Sequence, residues 1–158
     1  MSSEEEKKRD ELIYKIIIDR YDQEWKRTND IDSKASSVTG FAGLLATLTA
    51  GISELLPQIH YRFLFLIPLV IFILSAVFGL LAYWVRNFGA IHPDALIHEY
   101  SDKTETEVLR RYVATTSLLT MNNFEYNKGK ARWLNVAFSL LVLAIGLFFV
   151  IAIVNMLV

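Results

Sequence analysis

Two groups of polar side chains in this sequence could bind a small ligand. The first group stands directly before a long apolar run and consists of Asp30, Asp32 and Lys34. The second group lies in a later charged segment and consists of Lys103, Arg110, Arg111 and Tyr112. An arginine with an aromatic neighbour suits a nucleotide, because the guanidinium pairs with phosphate and the ring stacks on a base. The candidate ligand-binding residues are therefore Asp32, Lys34, Lys103, Arg110, Arg111 and Tyr112.

An ordinary structural interpretation is open for the same kinds of residue. Arg111 follows Glu107 by four positions, and such a pair stabilises an exposed helix. The charges just before the last apolar run, Lys128, Lys130 and Arg132, are typical of the cytoplasmic flank of a membrane span. Both interpretations remain open at the level of sequence.

Three nearly uncharged blocks predict three membrane spans. Residues 38–56, 63–85 and 133–158 are each long enough to cross about 30 Å of hydrocarbon at about 1.5 Å per residue. Lys and Arg are concentrated in residues 1–37 and 86–132, so the positive-inside rule places both segments in the cytoplasm. The N-terminus is then cytoplasmic, whereas the short connection at residues 57–62 and the C-terminus lie outside.

Both cytoplasmic segments show the periodicity of helices with one apolar stripe. The stripe in residues 1–37 consists of Leu12, Ile13, Ile16, Ile17, Tyr21 and Trp25. The stripe in residues 86–132 follows a capping box at Thr104 and Glu107 and consists of Val108, Leu109, Tyr112, Val113, Thr116 and Leu119. We therefore expect an all-α membrane protein, one helical membrane domain over residues 1–158. In this fold the two segments form a cytoplasmic helical stalk on three transmembrane helices.

The width of the two stripes predicts association between chains. One helix pairing does not need so much apolar surface, and a lone two-helix stalk is marginally stable. We expect a homo-oligomer, most simply a dimer or a tetramer. Helices lying flat on the membrane surface are the alternative.

One face of the first span carries small or polar residues. They are separated by four, three, four, three and four positions and are Ser36, Gly40, Gly43, Thr47, Ala50 and Glu54. This spacing places them on one side of a helix, where small side chains let another backbone approach closely. The face either packs against the second or third span of the same chain or surrounds a symmetry axis and borders a pore.

The composition and motifs argue against several functions. The chain has no Cys, its three His residues lack metal-ligand spacing, and its N-terminal segment does not resemble a signal peptide. No phosphate-binding loop, nucleophile elbow or dinucleotide-binding turn is recognisable. We therefore expect no enzyme, catalytic residue, metal or cofactor. The net charge of −1, with interleaved signs, argues against a DNA or RNA polymer as partner.

The stretch "DIDSKASSVTGFAGLLATLTAGI" resembles the D-x-K-A-S motif of small membrane effectors in bacterial and archaeal nucleotide-signalling defence. It is most similar to effectors of the Pycsar type, which respond to cyclic pyrimidine mononucleotides. The matching residues are Asp32, Lys34, Ala35 and Ser36. The start of the last span, "YNKGKARWLNVAFSLLVLAIGL", resembles the same family.

The resemblance implies an effector in a prokaryotic inner (plasma) membrane that acts in antiviral defence. Such an effector senses a cyclic nucleotide made during phage infection and then impairs membrane integrity. No separate nucleotide-binding domain is recognisable in these residues, so we expect a cyclic mononucleotide to bind at the cytoplasmic helices. Two alternatives remain, namely a constitutive oligomeric ion channel or pore and a non-catalytic membrane scaffold that recruits a cytoplasmic partner.

Overall fold

The computed structural model describes residues 3–55, 62–84, 89 and 104–157, and in this part of the chain it contains helices and no strand. Helix α1 covers Ser3–Leu55. A 3-10 turn, Arg62–Phe65, leads into α2, which covers Leu66–Trp84, and α3 covers Glu105–Leu157. All three α-helices are long and apolar enough to cross a membrane, which confirms the predicted helical fold with three helices of membrane-spanning character. Lys103 and the connection at residues 57–61 lie outside the described residues.

The sequence explains where these helices begin and why two of them are long. α1 opens with Glu4, Glu5 and Glu6, whose charges complement the positive end of the helix dipole. α3 begins directly after Thr104, whose carbonyl accepts hydrogen bonds from the backbone N–H groups of Glu107 and Val108. Neither helix contains a proline. Pro68 lies in the first turn of α2, where its missing N–H is tolerated.

The chain divides into two compact units. The first unit contains residues 1–29 and 87–128, and the second unit contains residues 30–86 and 129–158.

In the first unit, α1 and α3 meet along polar side chains. Asn127 is buried, and its Nδ2 atom donates a hydrogen bond to Oε2 of Glu24 at 2.8 Å. Thr28 Oγ1 donates to Oδ1 of Asn127 at 2.9 Å. Asn123, also buried, accepts a bond from the backbone N–H of Gly89 at 2.9 Å and donates one to its carbonyl at 3.3 Å. Buried amides of this kind fix which residues face each other, because every donor and acceptor needs its partner.

This polar seam corrects the predicted stripe on α1. Ile17 and Tyr21 are half-buried as expected. Every member of the α3 stripe is also half-buried or buried. Four large side chains of the α1 stripe are instead exposed, namely Leu12, Ile13, Ile16 and Trp25. The stripe was chosen by hydrophobicity, whereas α1 turns a mixture of aromatic, carboxylate and hydroxyl groups towards α3.

In the second unit, three helices pack through small residues. The alanines at the contacts are fully buried and lie on α1, α2 and α3: Ala35, Ala42, Ala82, Ala137 and Ala144. Phe72 of α2 belongs to the same buried core cluster as Val38 and Leu141. Ser75 Oγ donates to the carbonyl of Ala137 at 2.7 Å, which satisfies a buried hydroxyl between α2 and α3. Short side chains thus let these helices approach closely.

The predicted small-residue face of α1 does not take part in this packing. Four of its members are exposed, namely Ser36, Gly40, Gly43 and Thr47, and Ala50 is half-buried. The side chain of the sixth member, Glu54, lies outside the part that the structure describes. A Cβ atom built on Gly40 or Gly43 would meet no other atom within 4 Å. Packing of this face against the second or third span of the same chain was therefore the wrong interpretation. Alanines at neighbouring sequence positions, which lie on a different side of the helix, make the contacts instead.

Candidate functional site

An open cleft of about 610 Å³ lies in the first unit, between the beginning of α1 and the beginning of α3. Sites for small molecules typically measure about 300 to 1,000 Å³, so the cleft is of ligand size. Its walls include Asp10 and Tyr14 of α1, which are one helical turn apart, and Arg110 and Tyr112 of α3. Because α3 starts at Glu105, both of its residues stand within the first two turns.

Asp10 is the ionic centre of the cleft. Its side chain is only 10% exposed, and each carboxylate oxygen bonds to a different arginine. Oδ2 accepts a hydrogen bond from Nε of Arg110 at 3.0 Å, and Oδ1 accepts bonds from Nε and Nη2 of Arg9 at 3.3 and 3.2 Å. The bond from Arg110 lowers the pKa of the Asp10 carboxyl below its ordinary value of 3.8, burial opposes this, and Arg9 adds to the lowering. The carboxylate is therefore charged at neutral pH.

Arg110 uses one of its three nitrogen atoms in this ion pair. Its side chain is 56% exposed, and its two Nη nitrogens have no hydrogen-bond partner among the described residues. Two parallel N–H groups on the outer edge of a guanidinium match two oxygens of a phosphate. Arg110 can therefore bind an anion without giving up Asp10.

Tyr14 and Tyr112 form an aromatic pair on the wall of the cleft. Their ring centroids are 5.7 Å apart and their planes are inclined at 45°, so the rings touch each other. A ligand base would stack on the outside of the pair rather than between the rings. Burial is the main cause that raises the pKa of the Tyr112 phenol above its ordinary value of 10.0, and Tyr14 adds to it. The phenol is thus neutral and able to donate a hydrogen bond.

The remaining acidic residues of the cleft are exposed. They are Glu6 and Glu11 on α1 and Glu105 on α3. In the part of the chain that the structure describes, no three His, Asp or Glu side chains converge as ligands for a metal ion. The chemistry that the described cleft residues offer is ion pairing, hydrogen bonding and stacking.

Two of the six predicted ligand residues, Arg110 and Tyr112, meet in this cleft. Arg111 does not belong to the described lining, and its Nη2 atom lies 4.0 Å from Oε1 of Glu107, as the structural interpretation expects. Lys103 is outside the described residues. Of the predicted ligand residues, the structure therefore brings one arginine and one tyrosine together in the cleft.

Asp32 and Lys34 belong to the second unit. Oδ1 of Asp32 accepts a hydrogen bond from Nζ of Lys130 at 2.5 Å, and the Lys130 side chain is almost fully buried. Lys34 is exposed and makes no ion pair with a described residue. Asp32 thus neutralises a buried ammonium group, a role that sequence analysis did not foresee for either member of the pair.

Sequence analysis also missed Asp10 and Tyr14. The signal that could have found them is a spacing of four, three and four residues that runs through Asp10, Tyr14, Ile17 and Tyr21. Such alternation marks the seam of a helix pair whatever the polarity of its members. Selecting only apolar residues hid it.

Comparisons with protein-family models, with curated proteins and with solved structures found no match for this chain. Fold and site together define an all-helical protein with three helices able to cross a membrane. Its first unit holds a ligand-sized cleft.

Proposed function

We propose that this chain is a membrane effector of prokaryotic antiviral defence, activated by a cyclic nucleotide and acting by impairing membrane integrity. One observation carries the proposal: Arg110 and Tyr112, whose side chains suit a nucleotide, share a ligand-sized cleft with Tyr14 and Asp10. The resemblance of residues 32–36 to the D-x-K-A-S motif supports the same function. The effector acts by changing its packing in the membrane and performs no catalysis.

A cyclic mononucleotide suits the cleft in charge. Its single phosphodiester carries one negative charge and offers two oxygens to the outer edge of Arg110. Its base can stack on the exposed side of the Tyr14 and Tyr112 pair. The exposed carboxylates of Glu6 and Glu11 repel a ligand with many charges, which disfavours DNA and RNA polymers.

The distribution of charge supports the proposed location in the inner (plasma) membrane. Lys and Arg are concentrated in residues 1–37 and 86–132, which favours a cytoplasmic N-terminus and a C-terminus on the outside. The three long apolar helices supply the membrane-spanning segments.

The exposed small-residue face of α1 supports association between chains in the bilayer. Gly40 and Gly43 are open to close approach, and the hydroxyl of Thr47 is satisfied by the carbonyl of Gly43 at 3.0 Å. Small residues bring helix backbones together in lipid, where burial of apolar side chains gives little driving force. In the proposed mechanism this face packs against its counterpart in a dimer or tetramer, and the ligand favours one of two packings.

Dye release from proteoliposomes tests the proposal. We expect cyclic UMP or cyclic CMP to trigger release by the wild type and to have no effect on Arg110→Ala. Arg111→Ala is the matched control, because it removes the neighbouring guanidinium outside the described lining, and it should respond like the wild type. Release without ligand would identify a constitutive pore. No release with any cyclic nucleotide would favour a membrane scaffold.

A further inference from the structure

We infer that Asp10 is a positioning residue of the ligand site, which holds Arg110 so that its outer edge receives the ligand phosphate. The inference rests on the proposed function, because the phosphate is that of the cyclic nucleotide. Asp10 itself touches no ligand in this arrangement. It acts through the guanidinium group of Arg110.

The Asp10 carboxylate is buried and forms ion pairs with arginine side chains. Its side chain is 10% exposed, whereas Glu6 and Glu11, on either side of it in the sequence, are exposed. A carboxylate withdrawn from water is stable only when it is paired. The two oxygens of Asp10 accept hydrogen bonds from Arg9 and Arg110 and so define where both guanidinium groups lie.

The atoms used in the bond decide which part of Arg110 remains for a ligand. Asp10 engages Nε, on the inner side of the guanidinium, and leaves the edge formed by the two Nη atoms. That edge carries two parallel N–H groups and can make bidentate contact with a phosphate. Arg110 and Tyr112 also line the same cleft, so a phosphate held there brings the attached nucleoside next to the aromatic pair.

Arg9 completes the arrangement from the other side. Its two bonds to Oδ1, at 3.2 and 3.3 Å, hold the carboxylate while Oδ2 remains for Arg110 at 3.0 Å. An arginine held in this way has already lost much of its rotamer freedom before the ligand arrives. Removing Asp10 should therefore weaken phosphate binding, although a negative charge is removed from the neighbourhood of an anion.

The opposite effect on phosphate binding is expected when the removed carboxylate contributes only its negative charge. Glu11 lines the cleft, is exposed and forms no ion pair with a described residue. Glu11→Gln removes the same charge as Asp10→Asn and should leave anion binding unchanged or tighten it. The two variants therefore separate positioning from general electrostatics.

The experiment measures the affinity of the full-length protein in detergent for cyclic UMP and for uridine, by calorimetric titration and competition. Uridine has the same base and sugar but no phosphate. For Asp10→Ala we expect about tenfold weaker binding of cyclic UMP, because hydrogen bonds to charged groups are among the stronger ones. Uridine binding should be unchanged. Asp10→Asn, which keeps one acceptor oxygen, should lie between Asp10→Ala and the wild type.

Three results would overturn the inference. Equal loss of cyclic UMP and uridine binding in Asp10→Ala would show that Asp10 merely supports the fold of the cleft. Tighter binding of cyclic UMP by both Asp10→Asn and Glu11→Gln would show that Asp10 competes with the ligand for Arg110. A wild type that binds no cyclic nucleotide would remove the proposed function and this inference with it, an outcome distinct from the other two.

Discussion

The Nζ atom of Lys130 lies 2.5 Å from Oδ1 of Asp32, and the lysine side chain is 2% exposed. This ion pair joins α3 to α1 within the second unit. An ammonium group so far removed from water is stable only beside an opposite charge. Asp32 thus has a packing role, and Ala35, three residues further along α1, is fully buried.

Breaking this ion pair should destabilise the second unit. Asp32→Asn leaves the Lys130 ammonium buried without a counter-charge, and we expect a loss of about 3 to 5 kcal/mol in the free energy of unfolding. The double variant Asp32→Asn with Lys130→Met removes both charges and should recover most of that loss. Unfolding in detergent by denaturant titration measures both effects. A double variant no more stable than the single one would contradict this account of the pair.

Gly79 should be required for the contact between α1 and α2. A Cβ atom there would clash with Oγ1 of Thr39, which donates a hydrogen bond to the carbonyl of Ala35 at 2.8 Å. We expect Gly79→Ala to cost about 1 to 3 kcal/mol of unfolding free energy, as overpacked sites do. Thr39→Ala in the same chain should restore stability. Gly146→Ala, at an open site on α3 outside the proposed interface, is the control, and an equal loss there would show that the steric explanation is wrong.

The course of the helices followed from sequence, whereas the faces by which they pair did not. Long, nearly uncharged runs predicted helical spans, and Thr104 marked the start of α3, because both signals are local. Either Gly40 and Gly43 or Ala35 and Ala42 could form the packing face of α1. Which pair does so depends on side chains from other helices. Both pairs are small and have helical spacing, so periodicity alone treats them alike.

The cleft was predictable only in part for the same reason. Arg110 and Tyr112 were predicted as ligand residues because their types suit a nucleotide, and the structure brings them together in one cleft. Asp10 and Tyr14 lie about one hundred positions earlier in the chain, among many other charged residues. Their role depends on the pairing of α1 with α3, which buried amides and hydroxyls specify rather than an apolar stripe.

The Asp10 ion pair should make the stability of the first unit depend on pH. The folded-state pKa of Asp10 lies below its ordinary value of 3.8, so its stabilisation is fully present above that pH. As the pH falls below 3.8 towards the folded-state pKa, the unfolded chain takes up a proton first and the stabilisation is lost. Amide hydrogen exchange should show stronger protection of the first unit in the wild type than in Asp10→Asn at pH 7. In acid the protection of the two proteins should become equal. A difference in protection that is the same at pH 7 and in acid would contradict the role assigned to the Asp10 ion pair.

The exposed face of α1 should govern association between chains. Gly43→Leu places a large side chain where close approach is proposed, while the single chain has room for it. We expect chemical cross-linking in membranes to give several-fold less oligomer, with no loss of the helical circular-dichroism signal. Gly146→Leu is the matched control, because Gly146 is an equally open glycine on α3. Equal cross-linking in the wild type and Gly43→Leu would exclude this face as the interface.

Binding of a cyclic nucleotide in the cleft is the central claim, and a thermal-shift titration of the purified full-length protein tests it most directly. With ligand at about 100 times its dissociation constant, stabilisation of about 2.7 kcal/mol corresponds to a rise of about 5 to 10 °C in Tm. We predict such a rise with cyclic UMP or cyclic CMP for the wild type and for Arg111→Ala, and its loss in Arg110→Ala. No rise with any cyclic nucleotide, or an equal rise in Arg110→Ala, would contradict the claim.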